Sequence, residues 1–429
     1  MRLGPAGILA AVTVLVAIGC SAAPSPTTVP STALPIPPTA TRSLATRTPG
    51  PTFTPLPPTA TPLPATCTVC ASDCDFTTIQ AAIDDASTSN GSIIEVRDPI
   101  HTEAGIMVSR DVTIRGLGAG KTVVQSHDEL KQSPERVFLV QEGVTTVLRG
   151  LTIRHGRSSV REDNGGGILN DGALTVVDCI ITKNAANGGA GICSNGTLIV
   201  INSSIRGNVS EAIAQPGLRC GSGAGILSRV GELTVVNSTI GGNQAGVRSK
   251  GTGGGIRVGC KSTAVISNCT ISGNESVVYG GGIVVMGTAR LVNCTIANNA
   301  SKSEGSGVYV RGTLDFVNTI VANNRGTGGS CFVTSKDERG GAGTIGINRH
   351  NLIDDGACDP YLSGDPMLGP LADNGGPTMT HALLPGSPAI DAVPEDACTL
   401  AVDQRGVPRS FAVTSYDTPC DIGAFEWQP

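Results

Sequence analysis

The chain has 429 residues, a formal net charge of −5, 3% aromatic and 15% charged residues, and 57 glycines. So few large side chains exclude an ordinary globular core and suit a repetitive fold in which thin layers of Val, Ile and Leu stack. The small charge and the lack of a basic stripe exclude nucleic acid as a partner. The 14 cysteines are mostly far apart, which in an exported chain indicates some disulfides.

Residues 1–19 read as a secretion signal. Arg2 supplies the positive start, and Ile8 to Ile18 is an apolar run too short for a comfortable membrane span. Ala17-Ile18-Gly19-Cys20 resembles a bacterial lipobox, whose Cys becomes the lipidated first residue, although Ala17 stands where Leu is usual. The alternative is an ordinary signal peptide with Cys20 incidental. Lipidation of Cys20 implies export, a membrane anchor and a body held on the cell surface. Residues 20–66 are a Pro/Thr/Ser-rich tether in which proline removes donors and fixes φ, so no helix or sheet can run. At ~3 Å per residue in polyproline form the tether reaches on the order of 100 Å.

Residues 67–358 carry the body. Thr78-Ile79-Gln80-Ala81-Ala82-Ile83-Asp84-Asp85-Ala86 is helical in period, with Ile79, Ala82, Ile83 and Ala86 on one face, and is expected to cap an open first coil. Strands follow at Ile93-Ile94-Glu95-Val96 and Val112-Thr113-Ile114. Residues 147–156 fit one coil with Gly156 in the Asn position described next. Six segments then align without gaps: 174–184, 198–208, 233–243, 264–274, 289–299 and 314–324, with starts 24, 35, 31, 25 and 25 residues apart. Each ends in an apolar residue, two others, then Asn: Asn184, Asn208, Asn243, Asn274, Asn299 and Asn324. Each carries Asp or Asn at its fifth position, and a glycine cluster such as Gly253-Gly254-Gly255-Ile256 precedes it.

A period near 25 means one supersecondary unit per repeat. Apolar positions alternate (Leu174 and Val176, then Cys179 and Ile181), as in strands with one buried face. The Asn or Asp between the pairs marks a left-handed bend, and the glycine clusters read as corners needing positive φ. Three short strands per turn make a coil of a right-handed parallel β-helix. The six terminal Asn residues then form a structural ladder inside it.

The run from "TIQAAIDDA" to "IIEV" resembles the pectin-lyase-like β-helix superfamily over about residues 76–352. The Gly-Gly-Gly-Ile and Ile-x-x-Asn pairs also look like the repeats of chlamydial polymorphic outer-membrane proteins, although no membrane barrel follows. In residues 359–429, four blocks appear in order: Asp373-Asn374-Gly375-Gly376-Pro377-Thr378, Leu384-Pro385-Gly386-Ser387-Pro388-Ala389-Ile390-Asp391, Asp403-Gln404-Arg405-Gly406, and Cys420-Asp421-Ile422-Gly423-Ala424-Phe425-Glu426. This series resembles the choice-of-anchor Q family of bacterial surface proteins, and the resemblance implies location more than activity. Physically the segment reads as an irregular cap closing the last coil.

Cys398 and Cys420 lie 22 residues apart in that cap and are expected to form a disulfide worth ~3 kcal/mol. Cys179, Cys269 and Cys294 occupy an inward column at ~4.8 Å spacing, too wide for comfortable bridging, and are expected to be free thiols. Cys67, Cys70 and Cys74 are spaced either to hold zinc or to pair locally, and export favours pairing.

Lyases of this fold use clustered acids holding Ca²⁺ with an Arg or Lys base; its glycosidases use two or three Asp on neighbouring coils. Here acids are sparse. Asp178 is alone among five Asn in its column, Asp354-Asp355 and Asp84-Asp85 sit apart, and Arg154 and His155 have no acid in register. No catalytic residues, cofactor or metal site are assigned. From each of the first five ladder Asn to the Ile or Val after the next glycine cluster the distance is 8, 18, 13, 9 and 9 residues, so the extra length is read as falling at one corner, in residues 209–222 and 244–251. Loops on a rigid scaffold often carry function, against a bland reading of insertion drift. Arg219, Arg248 and Lys250 make that edge positive and are the expected ligand contacts. The expected function is a lipid-anchored, non-catalytic display or binding protein for extracellular polysaccharide or cell-wall glycan. The alternative is a polysaccharide lyase or glycoside hydrolase.

Overall fold

The structure is a computed structural model and describes residues 65–158, 164–211, 222–246, 251–335, 341–409 and 419–428. Cys20, the tether to residue 64, and Arg219, Arg248 and Lys250 lie outside the described residues.

One coil shows how the pattern becomes structure. Ile168–Asn170 and Ala173–Val177 are strands, and Asp178 then turns the chain with φ 53°. Ile180–Thr182 is the next strand, Lys183 a second left-handed corner, and Ala185–Ala186 a two-residue fourth strand. The sequence pattern suggested three strands per turn; the fourth was too short to show a period. Every strand pairs in parallel with its equivalent one coil on: Ile168 with Ile192, Leu174 with Leu198, Ile181 with Ile205, Ala185 with Val209. Among the described residues the stack of third strands has ten members. Crossovers between such right-twisted parallel strands wind right-handed.

The fifth-position residues Asn202, Asn237, Asn268, Asn293 and Asn318 all turn the chain with φ of 49–51°. Inward columns such as Ile181, Ile205, Ile240, Ile271 and Ile296 are fully buried. The glycine triplets differ from expectation. Only the first member, for example Gly253 at φ 70°, needs positive φ. The third is required by close approach: a Cβ on Gly255 would sit 2.6 Å from Gly282 O of the next coil.

The inner Asn residues form a continuous ladder. Each Nδ2 donates to the Oδ1 of the next, from Asn184 through Asn208, Asn243, Asn274 and Asn299 to Asn324, at 2.9–3.0 Å. The same Oδ1 accepts a backbone N–H from the coil before, so every ladder amide replaces water for a corner that has no neighbouring strand. Gly156 heads the ladder, its N–H donating to Asn184 Oδ1 at 2.8 Å.

Cys179, Cys269 and Cys294 are buried free thiols donating to backbone carbonyls. Burial pushes Cys179 and Cys294 up to about 12, so they stay protonated and inert. Cys70 pairs with Cys74, Cys331 with Cys358 and Cys398 with Cys420; Cys67 is free.

The N-terminal helix spans Ile79–Asp84, with Thr78 as N-cap and Ile79, Ala82 and Ile83 buried in the main core. Ala86, expected on the buried face, is exposed because the helix has already ended. Glu103 accepts the N–H groups of Ile79 and Gln80, satisfying donors that a helix start leaves open.

The C-terminal segment corrects the expectation of a simple end cap. Leu362 pairs with Leu352 on the last rung, but the chain then turns back along the helix flank. An antiparallel pair, Leu368–Ala372 with Thr380–Leu383, and the segments after it lie on the outer face of the third-strand stack. There the outward residues are small on three coils, Thr239 and Gly241, Thr270 and Ser272, Thr295 and Ala297, and apolar on the next, Ile320 and Ala322; all are buried. Gln404 bonds Thr239, Thr270 and Thr378. Ala424 N–H donates to Thr295 Oγ1 and Gly423 N–H to Asn318 O. Leu383, Ala389, Val393, Ile422 and Phe425 pack with Ile320, Ala322 and Leu352 in a second core. Beside it lies a buried ionic network. Arg409 pairs with Glu426 at 2.9 Å, Arg405 with Asp403 at 2.7 Å, and the Arg405 guanidinium sits 3.6 Å over the Phe425 ring.

Two outcomes follow. Replacing Asn274 by Ala strands both a backbone N–H and an amide of Asn243, and should lower stability by about 3 kcal/mol. The same change at Asn324, at the half-exposed end of the ladder, should cost distinctly less; urea unfolding of both variants checks the order. Asp421 is held up to about 7 by burial and then by the Glu426 charge. The folded chain therefore keeps a proton that the unfolded chain loses near pH 4, and this group's stabilisation disappears as pH rises from about 4 through 7. The melting temperature of Asp421→Asn relative to the parent should rise over that interval. A constant difference would mean that Asp421 is ionised throughout.

Candidate functional site

The corner where sequence length accumulates follows the short fourth strands. Val209–Ser210, Gln244–Ala245, Glu275–Ser276 and Ala300–Ser301 pair in register along it. Their second residues point inward and are buried. Ser210 Oγ donates to Asn187 O of the coil before, and Ser276 Oγ to Tyr279 O of its own loop. Their first residues point outward in one column, extended by Arg157 and Arg325 through single parallel bridges. A shallow groove of 370 Å³ crosses three coils here, lined by Gln244, Glu275, Val277, Ala300 and Lys302 among others. Gln244, Glu275 and Lys302 are exposed, and neither Glu275 nor Lys302 forms an ion pair among the described residues. Arg157 and Glu211 pair at 3.3 Å further along the column.

Beyond the loops, Tyr279, Tyr309 and Phe332 stack on successive coils, with centroids 4.0 and 5.8 Å apart. Tyr309 and Phe332 occupy the same strand register. The rings spend their faces on one another and so stiffen the corner.

The acids sit where sequence reasoning left them, apart. Asp354 and Asp355 accept the hydroxyl and N–H of Ser330 and close the last loop. Asp84 accepts from Gln80, and Asp85 from Ser87. Asp178 pairs with Arg149 at 3.3 Å. Arg154 donates to Gln125 Oε1, and His155 Nδ1 lies 3.1 Å from His127 O. Among the described residues no three His, Cys, Asp or Glu side chains are grouped to hold a metal ion.

Sequence reading passed over His101. Its Nε2 lies 2.8 Å from Glu103 and its Nδ1 3.5 Å from Asp98. Burial pulls its pKa down, but the two carboxylates outweigh it and the net shift is upward. The available signal was His and Glu two apart at the end of the strand Ile100–Thr102, hence on one face. Glu103 is committed to the helix N-terminus, so the group ties the cap to the second coil.

Residues 118–325 match the family model for a right-handed β-helix region. No curated protein matches this chain. Among solved structures it is similar to pectate lyase Pel9A, with 13% identity, 82% of this chain and 91% of that one covered, and a TM-score of 0.48. It is also similar to pectin methylesterase from Yersinia enterocolitica (13% identity, 64% and 91% covered, TM-score 0.35). Pectin methylesterase PemA from Erwinia chrysanthemi gives 13% identity, 68% and 90% covered, and a TM-score of 0.34. The parallel pairing of every coil and the family match together make this chain an all-β right-handed parallel β-helix.

Proposed function

We propose that this chain is an exported display protein, anchored by lipid at Cys20, whose β-helix binds an extended polysaccharide without turning it over. The observation that carries the reading is the open groove over Gln244, Glu275 and Ala300. Parallel coils repeat a contact every ~4.8 Å, so a polymer lying along the stack meets equivalent side chains in succession and weak contacts add. The long insertions at residues 209–222 and 244–251 start from this same column, and their Arg219, Arg248 and Lys250 favour an acidic glycan. The four C-terminal blocks that resemble choice-of-anchor Q proteins meet in one buried network on the helix flank, in keeping with a surface-protein module.

Shortening both insertions to the eight-residue spacing that follows Asn184 should leave the fold intact and sharply weaken salt-sensitive binding of long acidic glycans, which need successive contacts along the edge, on a glycan array. Unchanged binding makes the insertions drift, and release of unsaturated or reducing-end sugar at catalytic rates replaces this reading with an enzyme. Cys20→Ala should move the protein from membrane to medium. Equal incorporation of labelled fatty acid by that variant would remove the anchor from the proposal.

A further inference from the structure

We infer that a second ligand site, for the carboxylate-bearing ring of an acidic saccharide, lies on the opposite side of the Asn corner, where the C-terminal segment stops covering the third-strand stack. Leu371 and Met379, on the antiparallel pair, form the edge of the cover. Just beyond them a space of 420 Å³ opens over the strands Ser204–Arg206 and Thr239–Gly241, within the roughly 300–1,000 Å³ of ordinary ligand sites.

The floor is made by missing side chains. The corner position before each ladder Asn holds His155, Lys183, Gly207, Gly242, Gly273, Asn298 and Asn323, all at φ between 53° and 66°. Four of the seven are not glycine, so this backbone does not demand glycine. A Cβ on Gly242 would meet nothing within 4 Å, and one on Gly207 only Thr182 Oγ1 at 3.7 Å. What these two glycines supply is an open lane across two coils, closed at one end by Lys183.

The lane is positively charged. Lys183 and Arg206 line it, no carboxylate does, and neither cation forms an ion pair among the described residues. This stands out in a chain of net charge −5. Thr182 and Ser204 add hydroxyls, while Leu371 and Met379 supply an apolar wall. Two cations suit a carboxylate, hydroxyls suit ring hydroxyls, and the wall suits the C–H face of a pyranose. A uronic acid residue combines all three; inorganic phosphate has no use for the wall, and a neutral sugar none for the cations.

Calorimetric titration of the full chain in neutral detergent tests this, with trimeric galacturonate, its methyl ester and inorganic phosphate as probes. The trimer should bind, and the ester about tenfold or more weaker, since a charged hydrogen bond is lost. Arg206→Gln and Gly242→Asn should each weaken the trimer by a similar factor while the protein stays folded with a melting temperature within a few degrees of the parent, because Asn298 and Asn323 already hold the same left-handed corner in other coils. Gly273→Asn, one coil outside the lane, should bind as the parent, as should the variant with shortened insertions, which separates this site from the edge groove. The inference is overturned if the trimer does not bind, if Arg206→Gln and Gly242→Asn bind it like the parent, or if phosphate competes as well as the trimer does.

Discussion

Everything in this molecule depends on coils stacking in register at the spacing of a parallel sheet. A parallel ladder satisfies the strands but leaves the corners with unpaired N–H and C=O groups, and a buried unpaired group costs on the order of 1–3 kcal/mol. The Asn ladder resolves this. Each amide accepts from the coil before, donates to the Asn of the next, and donates to a carbonyl such as Ile240 O one coil back. Because each rung serves its neighbours, an in-register stack is the only arrangement that satisfies all of them. The longest insertions among the six aligned repeats enter at a corner that lies outside this chain of bonds.

The same stacking makes the outer faces flat, and a flat face can accept another layer. From Thr239 to Ala297 the outward side chains of the third strands shrink to Gly, Ser, Thr and Ala, and the C-terminal segment lies on them and on Ile320 beyond. On the coils before, Arg154, Thr182 and Arg206 stand in the same column and the face is bare. The cover adds its own apolar cluster and a buried set of charges whose members come from separate motif blocks. Asp403 accepts the Glu426 N–H, Arg405 reaches the Glu426 carbonyl, and Gln404 joins Thr378 to two coils. The blocks are spaced irregularly along the chain because they answer to positions on the coil stack, not to one another in sequence.

The surface chemistry is carried by departures from the repeat. On one side of the helix, insertions begin at a column of outward side chains that includes Gln244 and Glu275. On another, glycines stand where other coils carry Lys183, Asn298 and Asn323. In both cases the scaffold tolerates more than one residue type, which leaves the position open to recognition.

The amino-acid sequence by itself determined the coil: the alternation of Leu174 with Val176, the bend at Asn202 and its equivalents, the Ile-x-x-Asn spacing and the first glycine of each triplet all follow from local geometry repeated at a readable period. The two-residue fourth strand escaped notice because two residues carry no period, and Ala86 was misplaced because helix ends are decided by capping. What only the tertiary structure decided is where the last seventy residues go. They have no repeat, and their partners, such as Thr239 and Thr270 for Gln404, lie 165 and 134 residues away. The lane beside Lys183 and Arg206 was hidden for the same reason, since a groove formed by the edge of a returning segment over missing side chains exists only once both are packed together.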